Sequence, residues 1–370
     1  MSTHQIDIII LAVLISVTCA IPGVFLVLRR VALMSDAISH AILLGIVVAF
    51  LFTKNLTSPL LIFGATLTGV LTVTLTEIII KTRKLKKDAA IGLVFPLLFS
   101  IGVILLNIFA RDVHLDSECV LFGEIAFTPF NRLIVNGMDL GPQSSWVMGG
   151  ILLLNVLFVF FFYKELKVST FDSGLAASLG FFPGLIHYFL MTIVSITTVG
   201  AFESVGSILV VALMITPPAA AYLLTNRLSH MIFISCGLGA LSAIGGYFLA
   251  YKLDASISGS MAVMSGIIFI VILIFAPERG LLAKIIVRKW TKWDFAISTL
   301  AVHLLQAEAD GADATELITS HMHEHMLWSN EYTSEVIAQC IHDDILYKEE
   351  NTLILTSYGR EKASLALSKS

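Results

Sequence analysis

Asp36 and His40 stand four residues apart in Ser35-Asp-Ala-Ile-Ser-His40, inside an apolar run over 33–53 long enough to cross a bilayer. On a helix that spacing puts both side chains on one face, about 6 Å apart along the axis. Ionisable groups are costly at membrane depth and usually face a bundle interior, where they serve an ion or proton path. A carboxylate beside an imidazole is also a ligand pair suited to Mn²⁺, Fe²⁺ or Zn²⁺. The plainer reading of Asp36 is a helix N-cap or a satisfied polar group near the inner interface. Counting along a helix from Arg30 puts Asp36 about 9 Å and His40 about 15 Å deep, which does not suit a cap.

Other residues could add to such a path. Glu203, between two apolar runs, and Glu124, after a short apolar piece, are candidate path or gate carboxylates, with water-interface positions as the plainer reading. Glu77 reads as a snorkelling side chain or as the i,i+4 partner of Lys81. His321, His323 and His325 form a cluster open to regulatory metal binding, although on a helix His323 points away from the other two and a solvated surface is the simpler account. The four cysteines, Cys19, Cys119, Cys236 and Cys340, have no paired spacing, so neither a disulfide framework nor a thiolate metal site is indicated. No glycine-rich phosphate loop with its lysine is present, so the chain does not hydrolyse ATP by itself.

The elements that position these residues are membrane helices. The chain is 57% hydrophobic and 14% charged over 370 residues, against about 25% charged for a soluble domain. Nine apolar runs of spanning length fall at 8–28, 33–53, 59–80, 89–110, 145–162, 184–202, 204–224, 231–251 and 257–276. Asp7 precedes the first run and Arg29 and Arg30 follow it, the reverse of a signal peptide. With the N-terminus outside, inside loops collect 15 Lys and Arg and outside loops only Lys54, Arg111, Arg132 and Lys252, as the positive-inside rule requires. The basic cluster at 81–87 is a topology signal that can also meet lipid headgroups.

Two segments do not fit simple spans. Residues 116–140 carry a piece too short to cross, expected as a re-entrant or interfacial element on the outer side. Residues 165–183 predict one or two short amphipathic helices inside, with Asp172, Ala176 and Gly180 at four-residue spacing and a stop at Pro183. Pro217-Pro218 are expected to break the helix ladder in the seventh run. Beyond 290 the composition turns soluble, with 13 acidic and 5 basic side chains over 290–370. Helices are expected over 292–308, 313–328 and 331–346, then a hairpin over 345–355 and a last helix over 357–367. The fold class is thus an all-α polytopic membrane protein of about nine spans, with a small cytoplasmic α+β domain like a winged helix; the two parts fall at 1–285 and 290–370.

Arg29-Arg-Val-Ala-Leu-Met-Ser-Asp-Ala-Ile-Ser-His-Ala-Ile-Leu-Leu-Gly45 resembles the R-R-x-A-L-x-x-D-A-x-S-H-A-x-x-x-G signature of the ABC-type manganese, zinc and iron permeases. Val205 to Ala221 is similar to that family's V-G-x-x-L-V-x-A-L-L-I-x-P-A-A-x-A run, and Leu121-Phe-Gly-Glu124 to its L-F-G-D element. The resemblance covers about 1–285. It implies the fold of a type II ABC importer permease in the cytoplasmic (inner) membrane. It also implies uptake driven by a separate ABC ATPase subunit, a second permease subunit, and delivery of metal by an external binding protein. Membrane lipid surrounds the chain, and the divalent metal is cargo, with no fixed cofactor. Asp36 and His40 take the path-ligand role, and Asp172, Ala176 and Gly180 fall where such permeases dock on the ATPase. Glu203 and Glu124 depart from the residues usual at those places. The tail, through Leu355-Thr-Ser-Tyr-Gly-Arg-Glu-Lys-Ala363, resembles the winged-helix part of iron-dependent repressors. Its net charge of −8 (5 minus 13) opposes DNA binding, so no nucleic acid partner is expected and the tail reads as a regulatory or subunit-contact module. The rival functions are an ion- or proton-coupled secondary transporter and a membrane-anchored regulator acting through the tail.

Overall fold

A computed structural model describes residues 3–54, 58–109, 125–135, 138–309, 322, 326–349 and 352–369. Among the described residues, nine helical segments are long and apolar enough to cross a membrane, in the register expected from the sequence. Two compact units divide the chain, Met1–Gly280 and Leu281–Ser370.

In the first unit, α1 (Thr3–Leu28) is the central helix. It is apolar all round, the signature of a helix enclosed by others, and Leu11, Ile15, Cys19, Phe25 and Leu26 are fully buried. It packs on α5 (Gln143–Phe161), α8 (Pro183–Leu224) and α9 (Leu228–Leu253). A second group forms where α2 (Leu33–Thr53) packs between α3 (Pro59–Lys81) and α4 (Lys87–Phe109). The last span, α10 (Ile257–Phe275), lies on α8 and α9. The outward faces of α4 and α5 expose Leu93, Leu97, Ile104, Leu153, Leu157 and Phe160, as lipid-facing helices do.

Close backbone approach sets the helix spacing. A Cβ on Gly45 would lie 2.3 Å from the Gly64 carbonyl oxygen and 2.4 Å from Thr68 Oγ1, so α2 and α3 meet with no side chain between them. A Cβ on Gly23 would lie 2.1 Å from the Met214 carbonyl oxygen. That carbonyl is the i−4 acceptor which Pro218, lacking N–H, leaves without its helical donor. The bare backbone of α1 thus covers the place where the ladder is interrupted.

The prolines interrupt the hydrogen-bond ladder, as expected, without ending the helix. α8 runs helically through Pro217 and Pro218, and its one non-helical residue is Gly206, at φ 76° and ψ 168°. Such dihedrals suit only glycine. The spans Pro183–Phe202 and Ser204–Leu224 thus follow one another with no loop between them, and the kink falls at Gly206, within the second.

The segment expected to be re-entrant falls partly among the described residues. Cys119–Glu124 lie outside the described residues; a 3₁₀ turn follows at Ile125–Phe130, then an antiparallel hairpin of β1 (Arg132–Val135) and β2 (Met138–Pro142). Arg132 anchors it, 2.6 Å from Asp139 and 3.2 Å from Asp7 at the start of α1. The guanidinium and the Gly141 N–H together hold Asp139 below the usual carboxylate range.

In the second unit, α11 (Leu281–Ala309) begins eleven residues before the expected 292 and covers the stretch 286–289 left between the two expected domains. The expected helix over 313–328 lies almost wholly outside the described residues. α12 (Asn330–His342), the antiparallel pair β3 (Leu346–Glu349) and β4 (Thr352–Leu355), and α13 (Ser357–Lys369) follow in the expected order. Leu300, Leu304, Val336, Cys340, Leu353, Leu355 and Ala363 form the core of this unit. Arg360 closes it on Glu308, at 3.0 Å.

Candidate functional site

Asp36 and His40 share one face of α2, with Asp36 Oδ1 3.4 Å from His40 Nε2. Both side chains are about one-third exposed, 37% and 31%, whereas Ser35 and Ser39 on the neighbouring face are buried and bond back to Ala32 and Ser35 carbonyls. Small residues thus press one side of α2 into the bundle and leave the ionisable pair facing a partly open side. The imidazole is held by aromatic rings from α4: Phe95 stacks on it at 5.6 Å between centroids and Phe99 meets it edge-on at 6.1 Å.

The expected depth needs correction. Arg30 has a left-handed φ of 56°, so the helix does not run from it; α2 starts at Leu33 with Ala32 as its N-cap. Asp36 therefore sits in the first turn, about 4.5 Å along the axis from Leu33, and His40 about 10.5 Å. There the carboxylate gains from the positive end of the helix dipole. It is not the N-cap, so the capping alternative fails on geometry. Among the described residues, no group of three or more His, Cys, Asp and Glu side chains is arranged to hold a metal. The pair supplies two ligand types from one chain.

Glu124, His321, His323 and His325 lie outside the described residues, so they are not placed beside the pair. Glu203 belongs to α8, three residues before the Gly206 kink.

The expected ATPase-contact segment departs from its expected form. It comprises two helices, α6 (Tyr163–Phe171) and α7 (Ser173–Ser178). Asp172, Ala176 and Gly180 do not form one helical face. Asp172 is extended and caps α7 by accepting the Leu175 N–H at 2.9 Å; Gly180 is left-handed at φ 82°; Ala176 is fully buried. The four-residue spacing misleads because the cap breaks the helix at its first member. Exposed beside Asp172 and Gly180 are Phe171, Leu175, Leu179 and Phe182, large apolar residues whose clustering was legible in the sequence. Pro183 does not stop a helix; it starts α8 from within the first turn, where its missing N–H costs nothing.

One polar hub was missed altogether. Arg29, past the end of α1, donates from Nε to Thr170 Oγ1 at 3.1 Å and from Nη2 to Ser169 Oγ at 2.9 Å, both on α6. Its Nη1 lies 3.1 Å from His187 Nδ1 at the start of α8. His187 Nε2 in turn lies 2.7 Å from Glu77 Oε1 on α3. An arginine can only donate, so His187 Nδ1 accepts and its Nε2–H points to Glu77. Glu77 is thus paired across helices, not with Lys81 as expected. Burial pulls the Arg29 guanidinium down to about 10, still charged at neutral pH. A cavity of about 430 Å³ adjoins the hub, lined by Arg29, Lys87, Ser169, Thr170 and His187 among others. In the sequence Arg29 reads as a topology charge and as the start of the family signature, and neither reading supplies its partners, which lie 140 residues away or more.

A multi-pass bundle with an ionisable pair on one of its spanning helices is the arrangement of a membrane transport protein. Residues 3–276 match the ABC 3 transport family, and the chain belongs to it. It is 44% identical over 361 residues to the zinc transport system membrane protein TroD of Treponema pallidum, covering 98% of each chain, so the likeness continues through the second unit. It is 48% identical over 277 residues to the manganese transport system membrane protein MntD of Bacillus subtilis, covering 75% of this chain and 94% of that one. Among solved structures it resembles a chain of PsaBC from Streptococcus pneumoniae, with TM-score 0.63, 29% identity, and coverage of 75% of this chain and 94% of that one. The protein is a permease of an ABC-type metal transport system, in the range of manganese, zinc and iron.

Proposed function

We propose that this chain is the permease subunit of an ATP-driven importer of a divalent first-row metal, Mn²⁺, Zn²⁺ or Fe²⁺, in the cytoplasmic membrane, with its N-terminus outside and its C-terminus inside. The observation that carries this is the Asp36–His40 pair at 3.4 Å on α2, half-open beside Phe95 and Phe99. Two donors bind a passing ion weakly. A second permease copy or a paralogue, bringing a matching pair to a shared axis, would raise the set to four O and N ligands, enough to select an ion and still release it. An external binding protein would deliver the ion. Carboxylate plus imidazole cannot exclude Zn²⁺ by affinity, because Zn²⁺ stands above Mn²⁺ and Fe²⁺ in the Irving–Williams order. The choice of metal is thus made by geometry and supply.

A separate ATPase subunit would dock on 163–182 through Phe171, Leu175, Leu179 and Phe182, with Asp172 and Gly180 shaping the surface and buried Ala176 supporting it from beneath. Arg29 joins this segment to α8, and through His187 to α3, so movement there reaches the helix bundle. Glu203 remains a candidate gate carboxylate near the α8 kink, and Glu124 another. The tail is a winged-helix-like cytoplasmic module for regulation or subunit contact.

The test is metal accumulation in an uptake-deficient host expressing the whole transporter. Accumulation that vanishes with a hydrolysis-dead ATPase partner, and survives a protonophore over short times, supports the proposal. Accumulation that survives the dead ATPase and collapses with the proton gradient assigns the chain to secondary transport.

A further inference from the structure

The first half of α11 does not serve the unit it belongs to. The buried core of that unit takes Ala296, Ile297, Leu300, Ala301 and Leu304 from this helix and nothing before them. Trp293 packs on the edge of that core, 5.7 Å from the Tyr332 ring, and the apolar stripe continues upstream of it at helical spacing through Trp290, Ile286 and Leu282. Ile286 is 56% exposed and Trp290 74% exposed, and Leu282 on the same face is also exposed. A run of large apolar residues on an outward face marks an interaction site.

Charge identifies what covers it. Residues 281–293 carry Lys284, Arg288, Lys289 and Lys292 and no acidic residue, a net +4 (4 minus 0). Residues 294–370 carry 4 basic and 13 acidic side chains, a net −9 (4 minus 13). Lys284, Arg288 and Lys292 repeat every four residues along one side of the helix, opposite Trp290 and Ile286. Lys292 also lies over the Tyr332 ring at 4.7 Å, which leaves Lys284 and Arg288 as the outward pair. An apolar face with tryptophan beside a lysine and arginine face is the composition of a helix lying in a membrane interface.

Reach agrees with composition. The last span ends at Phe275 and α11 begins at Leu281, so about 20 Å of extended chain at most separates them.

We propose that α11 over Leu281–Trp293 is an interfacial anchor that binds anionic phospholipid, burying Leu282, Ile286 and Trp290 among acyl chains and setting Lys284 and Arg288 on headgroup phosphates. Each basic residue near an anionic surface contributes an affinity factor of about fivefold. The acidic remainder of the unit is repelled by the same surface, so the anchor holds it by its basic end only.

The experiment uses the full-length chain in nanodiscs whose phosphatidylcholine is brominated on the acyl chains, with or without phosphatidylglycerol. Tryptophan quenching in the wild type minus that in Trp290→Phe isolates the Trp290 signal. The proposal expects bromolipid to quench that signal severalfold more than aqueous iodide does. It also expects quenching to deepen with phosphatidylglycerol, and Lys284→Glu/Arg288→Glu to abolish that dependence while the protein stays monodisperse. Trp290 reached by iodide and not by bromolipid overturns the proposal, as does a Trp290 shielded from both, which would mean that protein covers the helix. Bromolipid quenching indifferent to phosphatidylglycerol overturns the anionic-lipid assignment.

Discussion

Replacing Arg29 with glutamine removes the one charge on which α1, α6 and α8 converge. The guanidinium donates at 2.9 Å to Ser169, at 3.1 Å to Thr170 and at 3.1 Å to His187. Hydrogen bonds to a charged group contribute about 1.5–3 kcal/mol each, and they are not additive when they share a donor. Taking one partner out of a largely buried network, and leaving the others unmatched, costs about 3–5 kcal/mol. Some of this is recovered because Arg29 is itself desolvated, as its lowered pKa of about 10 shows, so the expected loss is about 3 kcal/mol. Arg29→Lys keeps the charge but not the planar fork and should lose about 1–2 kcal/mol. The damage should be local, because Arg29 is the side-chain link from α1 to Ser169 and Thr170. Thermal unfolding in detergent would show the loss, and limited proteolysis would show new cleavage between residues 163 and 182 before any cleavage in α1 or α8. A melting point unchanged in Arg29→Gln, with 163–182 still protected, would refute the reasoning that this hub holds the segment.

Three further outcomes follow from the packing. Gly45→Ala places a methyl 2.3 Å from the Gly64 carbonyl, so α2 must move off α3; an overpacking cost of about 1–3 kcal/mol and a fall in transport are expected, read by thermal shift and uptake. At the hairpin, Asp139 is held below its ordinary range by Arg132, so its contribution is present at neutral pH and is lost as pH falls through and below the ordinary carboxylate range; hydrogen exchange over 132–142 should quicken in acid and stay slow from pH 6 to 8. In the second unit, burial pushes the Cys340 thiol from 9.0 to about 12, cutting its thiolate fraction about a thousandfold near neutral pH, so mass-mapped alkylation should spare Cys340 until that unit unfolds.

Helix number and place were legible because length and apolarity decide a span, and charge on the loops checks it. The Asp36–His40 pair was legible for a related reason: spacing of four on a helix forces a shared face whatever surrounds it. Depth was not, since it was counted through Arg30, whose left-handed backbone restarts the helix at Leu33. The ladder break at Pro217-Pro218 was legible because proline removes a donor; the kink at Gly206, whose dihedrals no helix contains, was not. The helical spacing of Asp172, Ala176 and Gly180 failed because Asp172 acts as a cap, a choice made between neighbouring residues. The Arg29–His187–Glu77 hub could not be read at all, for its members lie on separate helices and no local pattern links them.

The central claim is that Asp36 and His40 bind the ion in transit. The most direct measurement is time-resolved uptake of Mn²⁺ and Zn²⁺ into proteoliposomes holding the complete transporter, comparing wild type with Asp36→Asn and His40→Gln at equal incorporation and equal ATPase content. The account predicts that each variant loses uptake of the cognate ion by at least a factor of about ten, the effect of losing a single ligand worth about 1.4 kcal/mol or more, while the melting point stays within a few degrees of wild type. Variants that carry the ion at the wild-type rate would contradict it and return both residues to a structural role.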